Sequence, residues 1–213
     1  LRRSAIGVLN ILRDRLPCGY ELLVRAALDA YAEQGLEFDR DIVAKSVCAF
    51  IKGRMEQMAR DEKVPSDVVA AVSDGSVTIP ADYLALARAL DGARTHDRAS
   101  FENLATAYAR ASHLADASLG TSVDRALMGA AESALLEAVD KAEGAVASSL
   151  ASKDFSGVIE ALASLREPID AFFDEVMVMD EDVSLRENRL RLLNRFESVF
   201  AGIANIGELA KKK

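Results

Sequence analysis

Tryptophan is absent and only 6% of the 213 residues are aromatic, so the core has to be built from Leu, Val, Ile and Ala. Cysteine occurs twice, as Cys18 and Cys48, with no CxxC or metal-ligand spacing. That excludes a disulfide framework and leaves both as expected small buried hydrophobes, a usage that favours a reducing, cytoplasmic compartment. No apolar run approaches the ~18 residues that a membrane helix needs, and there is no signal peptide, so no membrane partner is expected. The chain opens at Leu1 without an initiator Met, and it reads as a piece cut from a longer polypeptide. Basic residues are also in deficit, with a formal net charge of -8. Residues 1–99 hold 14 Lys+Arg against 15 Asp+Glu, and residues 100–213 hold 12 against 19, which is -1 and -7. A bulk electrostatic footprint for nucleic acid is therefore missing, and any RNA contact has to come from a local patch.

Catalytic motifs are missing as well. There is no Gly-rich phosphate loop, no Ser/His/Asp set and no Cys/His pair. The dipeptide His96-Asp97 lacks a third metal ligand at helical spacing and reads as a loop histidine beside a helix-capping aspartate. No catalytic residue, metal ligand or cofactor site is expected in these residues.

What the chain does have is helix. Long stretches rich in Ala, Leu, Glu and Arg favour it, and strict β-alternation is absent, so the fold class is all-α. The first half reads as helices from Arg3 to Arg15, Tyr20 to Glu33 and Asp39 to Asp61. A short helical turn follows Pro65, and a helix opened by Pro80 runs to about Leu90. In the third, the apolar positions Ile42, Val43, Val47, Phe50, Ile51, Met55 and Met58 fall three or four apart. "DGARTHD", 91–97, reads as a turn, and the boundary between two helical subdomains falls there, giving units 1–95 and 96–213. The second half reads as a helical bundle. Its helices span about 100–115, 123–150 with Thr121 or Ser122 as cap, 154–173 with a kink or break at Pro168, and 183–204. A frayed or partly ordered tail, "NIGELAKKK", follows.

Two constellations stand out. In "NLATAYARASHL", Phe101, Leu104, Tyr108 and Ala111 share an apolar stripe, while Asn103, Thr106, Arg110 and His113 lie on the other side. Such a face can stack on and hydrogen-bond unpaired bases, although a solvated helix face has the same spacing. In the last helix Leu185, Leu192, Leu193, Phe196, Val199, Phe200 and Ile203 form one stripe, and Arg191 and Arg195 project opposite it. Arg189 falls inside the stripe, where an unpaired guanidinium is costly, so it is expected to pair with Asp170 or Asp174 on the preceding helix. Asp180, Glu181 and Asp182 precede the helix, where negative charge complements the helix dipole.

The stretch "LREPIDAFFDEVMVMDEDVSLRENRLRLLNRF" resembles the C-terminal end of the β subunit of bacterial-type glycyl-tRNA synthetase. "LRRSAIGVLNIL", "FIKGRMEQMARDEKVPSDVVAAV" and "PADYLALARAL" resemble preceding segments of the same family, so the resemblance covers nearly the whole chain except the final Lys run. It implies that residues 1–95 are the helical region following an HD-like domain. It further implies that residues 96–213 are a DALR-like anticodon-binding helical bundle. The resemblance implies a non-catalytic tRNA-binding role within a glycine–tRNA ligase, whose α subunit uses ATP and glycine. The implied partners are tRNA(Gly), that α subunit and the rest of the β subunit. Combined with helical phase, it points to Arg110, Arg191 and Arg195 as RNA contacts, with Asn103 and Tyr108 as hydrogen-bonding or stacking neighbours. The pattern departs at Ala109 and His113, where a basic residue and an Asn are expected. A helical protein-interaction scaffold without RNA binding is the alternative that the -7 charge of residues 100–213 favours. An HD-type phosphohydrolase fragment is a third reading, disfavoured by the lack of clustered ligands.

Overall fold

Helix starts in this chain are set by side chains that satisfy the free N–H groups of the first turn. The computed structural model describes residues 1–210; the lysine run at 211–213, with the tail expected there, lies outside the described residues. Asp39 accepts from the Ile42 N–H at 3.0 Å and opens α3 (Arg40–Asp61). Asp97 caps α6 (Arg98–Leu114), Asp154 caps α8 (Phe155–Ala163) and Asp182 caps α10 (Val183–Ser198) in the same way. Pro80 occupies the first position of α5 (Pro80–His96), where its missing N–H costs nothing. The other helices are α1 (Arg2–Asp14), α2 (Tyr20–Glu33), α4 (Ser66–Ser73), α7 (Ala130–Ala151) and α9 (Arg166–Glu175). Short 3-10 turns lie at Ala117–Leu119, Arg125–Leu127 and Ile206–Ala210. The fold is all-α, as expected, with no strand among the described residues.

Several boundaries differ from the expected ones, each for a local reason. The "turn" at 91–97 is helical, because Leu90 is buried and Arg94 reaches Asp67 across 3.0 Å, so tertiary contacts override Asp-Gly. The helix expected from residue 123 starts at Ala130, and neither Thr121 nor Ser122 caps it. Instead Asp124 turns the chain through its bond from Ala126 N, and Glu132 accepts from Gly129 N at 2.6 Å. The 154–173 helix is two helices, broken at Ser164 and Leu165. Pro168 lies in the first turn of α9, since its ring would clash with the Ser164 carbonyl in a continuous helix. α10 stops at Ser198 rather than continuing to 204, and Gly202 turns the chain at φ +76. Residues 206–210 are not frayed: Ile206 and Leu209 are buried against the core. Cys18 and Cys48 are free but only half-buried, because each packs at the margin of the core.

The buried side chains form one continuous cluster running from Leu9 to Leu209. α5 packs on α8, α7 packs on α8 and α9, and α6 packs on α9, α10 and the closing 3-10 turn. That closing turn also rests on α4, which joins the end of the chain to its first half. Asn205 N donates to Ala71 O at 2.8 Å and Ser76 N to Gly202 O at 2.9 Å. A Cβ on Gly75 would stand 2.5 Å from the Ile203 carbonyl oxygen, so only glycine permits this close approach.

Candidate nucleic-acid interface

α10 carries its apolar stripe into the core and uses its polar residues to hold two loops. Leu192, Leu193 and Phe196 are buried, and Asn188 and Asn194 are buried with them. Asn188 accepts from Asp124 N at 2.7 Å and donates to Asp124 O at 3.0 Å. Asn194 accepts from Asp116 N at 3.1 Å and donates to Asp116 O and Gly120 O, each at 2.7 Å. Each amide thus offers one acceptor and one donor side to a backbone that has no helix or sheet to satisfy it. Together they fix the long connection between α6 and α7. The signal was present in the sequence: Asn188 lies three residues after Leu185 and four before Leu192, in phase with the stripe.

Arg189 holds the second loop. It is 12% exposed and pairs with Glu132, 5% exposed, at 2.8 Å and with Asp180 at 2.7 Å. It also donates to Met177 O at 2.9 Å, while Arg186 donates to Asp180 O at 2.8 Å. Burial lowers the pKa of the Arg189 guanidinium, but the hydrogen bonds to Glu132 and Asp180 outweigh it and the net shift is upward. The bond from Arg189 holds the Asp180 carboxyl below the usual carboxylate range. Arg189 is therefore a buried, paired arginine as its helical phase predicts, but its partners are not Asp170 or Asp174. Asp170 lies one turn from Arg166 and pairs with it at 3.5 Å, and Asp174 is exposed at the end of α9. α9 ends at Glu175, and the connection after it brings Asp180 to Arg189 instead.

The segment so held bends at Val178 and Met179 and buries one of its side chains between two exposed ones. Val178 points into the core, while Met177 is 74% exposed and Met179 is exposed too. These residues border an open groove of about 860 Å³ whose opposite wall is α6, with Arg110, His113 and Leu114. The Arg110 guanidinium stands 4.1 Å from the centroid of Phe173 on α9, a cation–π distance that leaves the exposed arginine preorganised at the groove. An arginine plane, an aromatic ring and two flexible thioethers offer flat and adaptable surfaces to an unstacked base. Phe173, Met177 and Met179 were not singled out from sequence, where the only trace is the alternation in "VMVM".

Residues 104–207 match the DALR anticodon binding domain family. The chain is also 38% identical over 213 residues to the glycine–tRNA ligase β subunit of Haemophilus influenzae (strain PittEE), covering 98% of this chain and 30% of that protein. The same identity and coverage hold for the β subunit of Actinobacillus pleuropneumoniae serotype 7 (strain AP76). For Vibrio campbellii (strain ATCC BAA-1116) the identity is 37% over 216 residues, covering 99% of this chain and 30% of the relative. The chain as a whole spans about 30% of the length of the relatives it matches.

Within and beside the matched stretch the expected contact residues separate. Arg110 is exposed at the groove, and Asn103, one residue before the matched stretch, is exposed on the same helix. Tyr108 is not available to stack on a base. Its ring is buried against Phe200, with centroids 5.0 Å apart, and Phe196 at 6.4 Å, because it shares the apolar stripe of Phe101 and Leu104. Arg191 and Arg195 do not project freely from α10. Arg191 pairs with Glu187 at 2.9 Å and donates to Leu119 O at 3.3 Å. Arg195 bridges to α7 through Asp140 at 2.7 Å and Glu143 at 2.9 Å. The hydrogen bond to Glu143 outweighs burial and raises the Arg195 pKa. Of the three arginines, only Arg110 meets an aromatic ring instead of a carboxylate. The face of α10 opposite the stripe is covered by α7 and the Leu119 turn, a burial that helical phase cannot register.

Proposed function

We propose that these residues form a non-catalytic, tRNA-binding part of a glycine–tRNA ligase β subunit, with residues 96–213 as the anticodon-recognition unit and residues 1–95 as the helical region leading to it. The observation that carries this reading is the DALR anticodon binding match at residues 104–207 inside a chain-wide identity of 38% to named β subunits. In this reading tRNA(Gly) is the ligand, and the α subunit of the same cytoplasmic enzyme activates glycine with ATP. The contact is centred on Arg110 and the groove between α6 and the 173–179 segment, with Asn103 two turns away along the exposed face. Groove and arginine suit an unpaired base better than a duplex, since Asp174 and Glu175 on the same wall repel a phosphate backbone while Phe173 and the methionines offer apolar contact to a base.

A scaffold role without RNA binding is the second reading. The neutralised charges of Arg191 and Arg195 favour it, because among the described residues they leave no continuous basic track beside Arg110. Titration of the full-length β subunit with tRNA(Gly), with tRNA(Gly) carrying an altered anticodon, and with a non-cognate tRNA separates the two. Anticodon-dependent affinity that is reduced by Arg110→Ala supports the RNA reading. Equal affinity for all three RNAs, indifferent to Arg110, leaves the scaffold.

A further inference from the structure

The apolar residues of α3 are buried only in its C-terminal half. Ile51, Met55 and Ala59 in its C-terminal part are buried, but none of the residues from Arg40 to Phe50 is. Ile42 is 67% exposed, and Val47 and Phe50 are exposed as well. α2 lies alongside and buries Tyr20, Val24 and Leu28, yet it leaves Leu22 63% exposed and Tyr31 open to solvent. Between α1, α2 and α3 runs a groove of about 440 Å³ lined by apolar side chains, among them Val8, Leu23, Tyr31, Leu36 and Val47. Of the 15 large hydrophobic side chains exposed among the described residues, 11 lie in residues 1–50. Soluble surfaces rarely concentrate apolar side chains in this way unless another body covers them. The α2–α3 rim carries charges of both signs, Glu21 and Arg25 on α2 and Asp41 and Lys45 on α3, an apolar centre with a polar edge.

We propose that this face of α1–α3 is a domain interface, covered by the part of the β-subunit polypeptide that lies outside these 213 residues. The proposal rests on the kinship with the longer subunit, of which this chain corresponds to 30%. Most of such a polypeptide is thus available to cover the face. A covalently linked neighbour holds an effective concentration that a separate subunit does not reach. The exposed apolar residues along the groove, Tyr31, Leu36 and Val47, then have a physical reason: their packing partner is another domain of the same chain.

The test places a photo-reactive benzoylphenylalanine at Tyr31 or Leu36, both exposed and both lining the groove, in the full-length β subunit, together with its α subunit and without tRNA. Cross-links within one polypeptide, mapped to peptides outside these 213 residues, are the expected result. Cross-links to a second copy, cross-links to the α subunit only, or no cross-link at either position would overturn the proposal. As a second measurement, Tyr31→Glu/Leu36→Glu should leave the melting temperature of the 213-residue chain unchanged and make the full-length subunit easier to cleave by protease. Unchanged protease resistance of the full-length variant also overturns it. Because no RNA is present, a subunit that cross-links to itself yet fails to bind tRNA would retain this interface and lose only the RNA role.

Discussion

Arg189 on α10 and Glu132 in the first turn of α7 form an ion pair of 2.8 Å with both side chains nearly excluded from water. The same carboxylate accepts from Gly129 N, so one glutamate ends a loop, starts a helix and neutralises a buried charge.

Removing either partner strands a charge. Arg189→Ala is expected to cost about 3–5 kcal/mol, the usual range for breaking a buried pair. Arg191→Ala, whose ion pair is one helical turn apart and half-exposed, is expected to cost under about 1 kcal/mol. Chemical denaturation of the three proteins measures both values, and similar losses for the two variants would refute the assignment.

Acid should weaken the same network. The folded Asp180 carboxyl is held below its ordinary value by Arg189. Its contribution is therefore complete above the unfolded pKa of about 3.9 and is lost as the pH falls through the depressed folded value. Asp180→Asn should be less stable than the parent at neutral pH, and the gap should close with acidification. A gap that stays constant from neutral to acidic pH would contradict the pairing.

The two buried amides give a separate test. Asn194→Ala leaves the N–H and C=O of Asp116 and the C=O of Gly120 without their partner, and Asn188→Ala does the same to Asp124. Each stranded group costs about 1–3 kcal/mol where water cannot replace the bond. Hydrogen exchange should quicken across residues 116–124 in either variant while α7 and α10 stay protected. Uniform protection across the loop would show that the clamps are dispensable.

Gly75→Ala should destabilise by about 1–3 kcal/mol, the range for forcing extra atoms into a packed site. The added methyl meets the Ile203 carbonyl oxygen, a backbone atom that cannot swing aside. Gly92→Ala, with nothing within 4 Å, provides the control and should leave the melting temperature unchanged or raise it.

For RNA, the arginines should not behave alike. Arg110→Ala in the full-length subunit is expected to lower tRNA affinity and blunt anticodon discrimination. Arg195→Ala should act mainly on stability, since Asp140 and Glu143 already engage its charge. Titration at several salt concentrations, with melting curves alongside, separates the two. A larger RNA effect from Arg195 than from Arg110 would reverse the assignment of the groove.

Local chemistry settled much of the fold before any coordinates. Asp39, Pro80, Asp97, Asp154 and Asp182 start helices through contacts a few residues long, and the period of the apolar residues marks which face turns inward. The acidic run before α10 likewise needs no partner to explain it: Asp182 caps the helix with bonds to Ser184 N and Leu185 N. That Arg189 must be paired followed from its phase alone. Which carboxylate pairs with it did not, because Glu132 is 57 residues away and only the packing of α7 on α10 brings the two together. The same limit applies to Arg191, Arg195 and Tyr108. Helical phase reports the side of the helix a residue occupies, whereas tertiary packing decides whether another element covers that side. α10 is covered on both sides, α6 is left open at Arg110, and the first half of α3 is left bare.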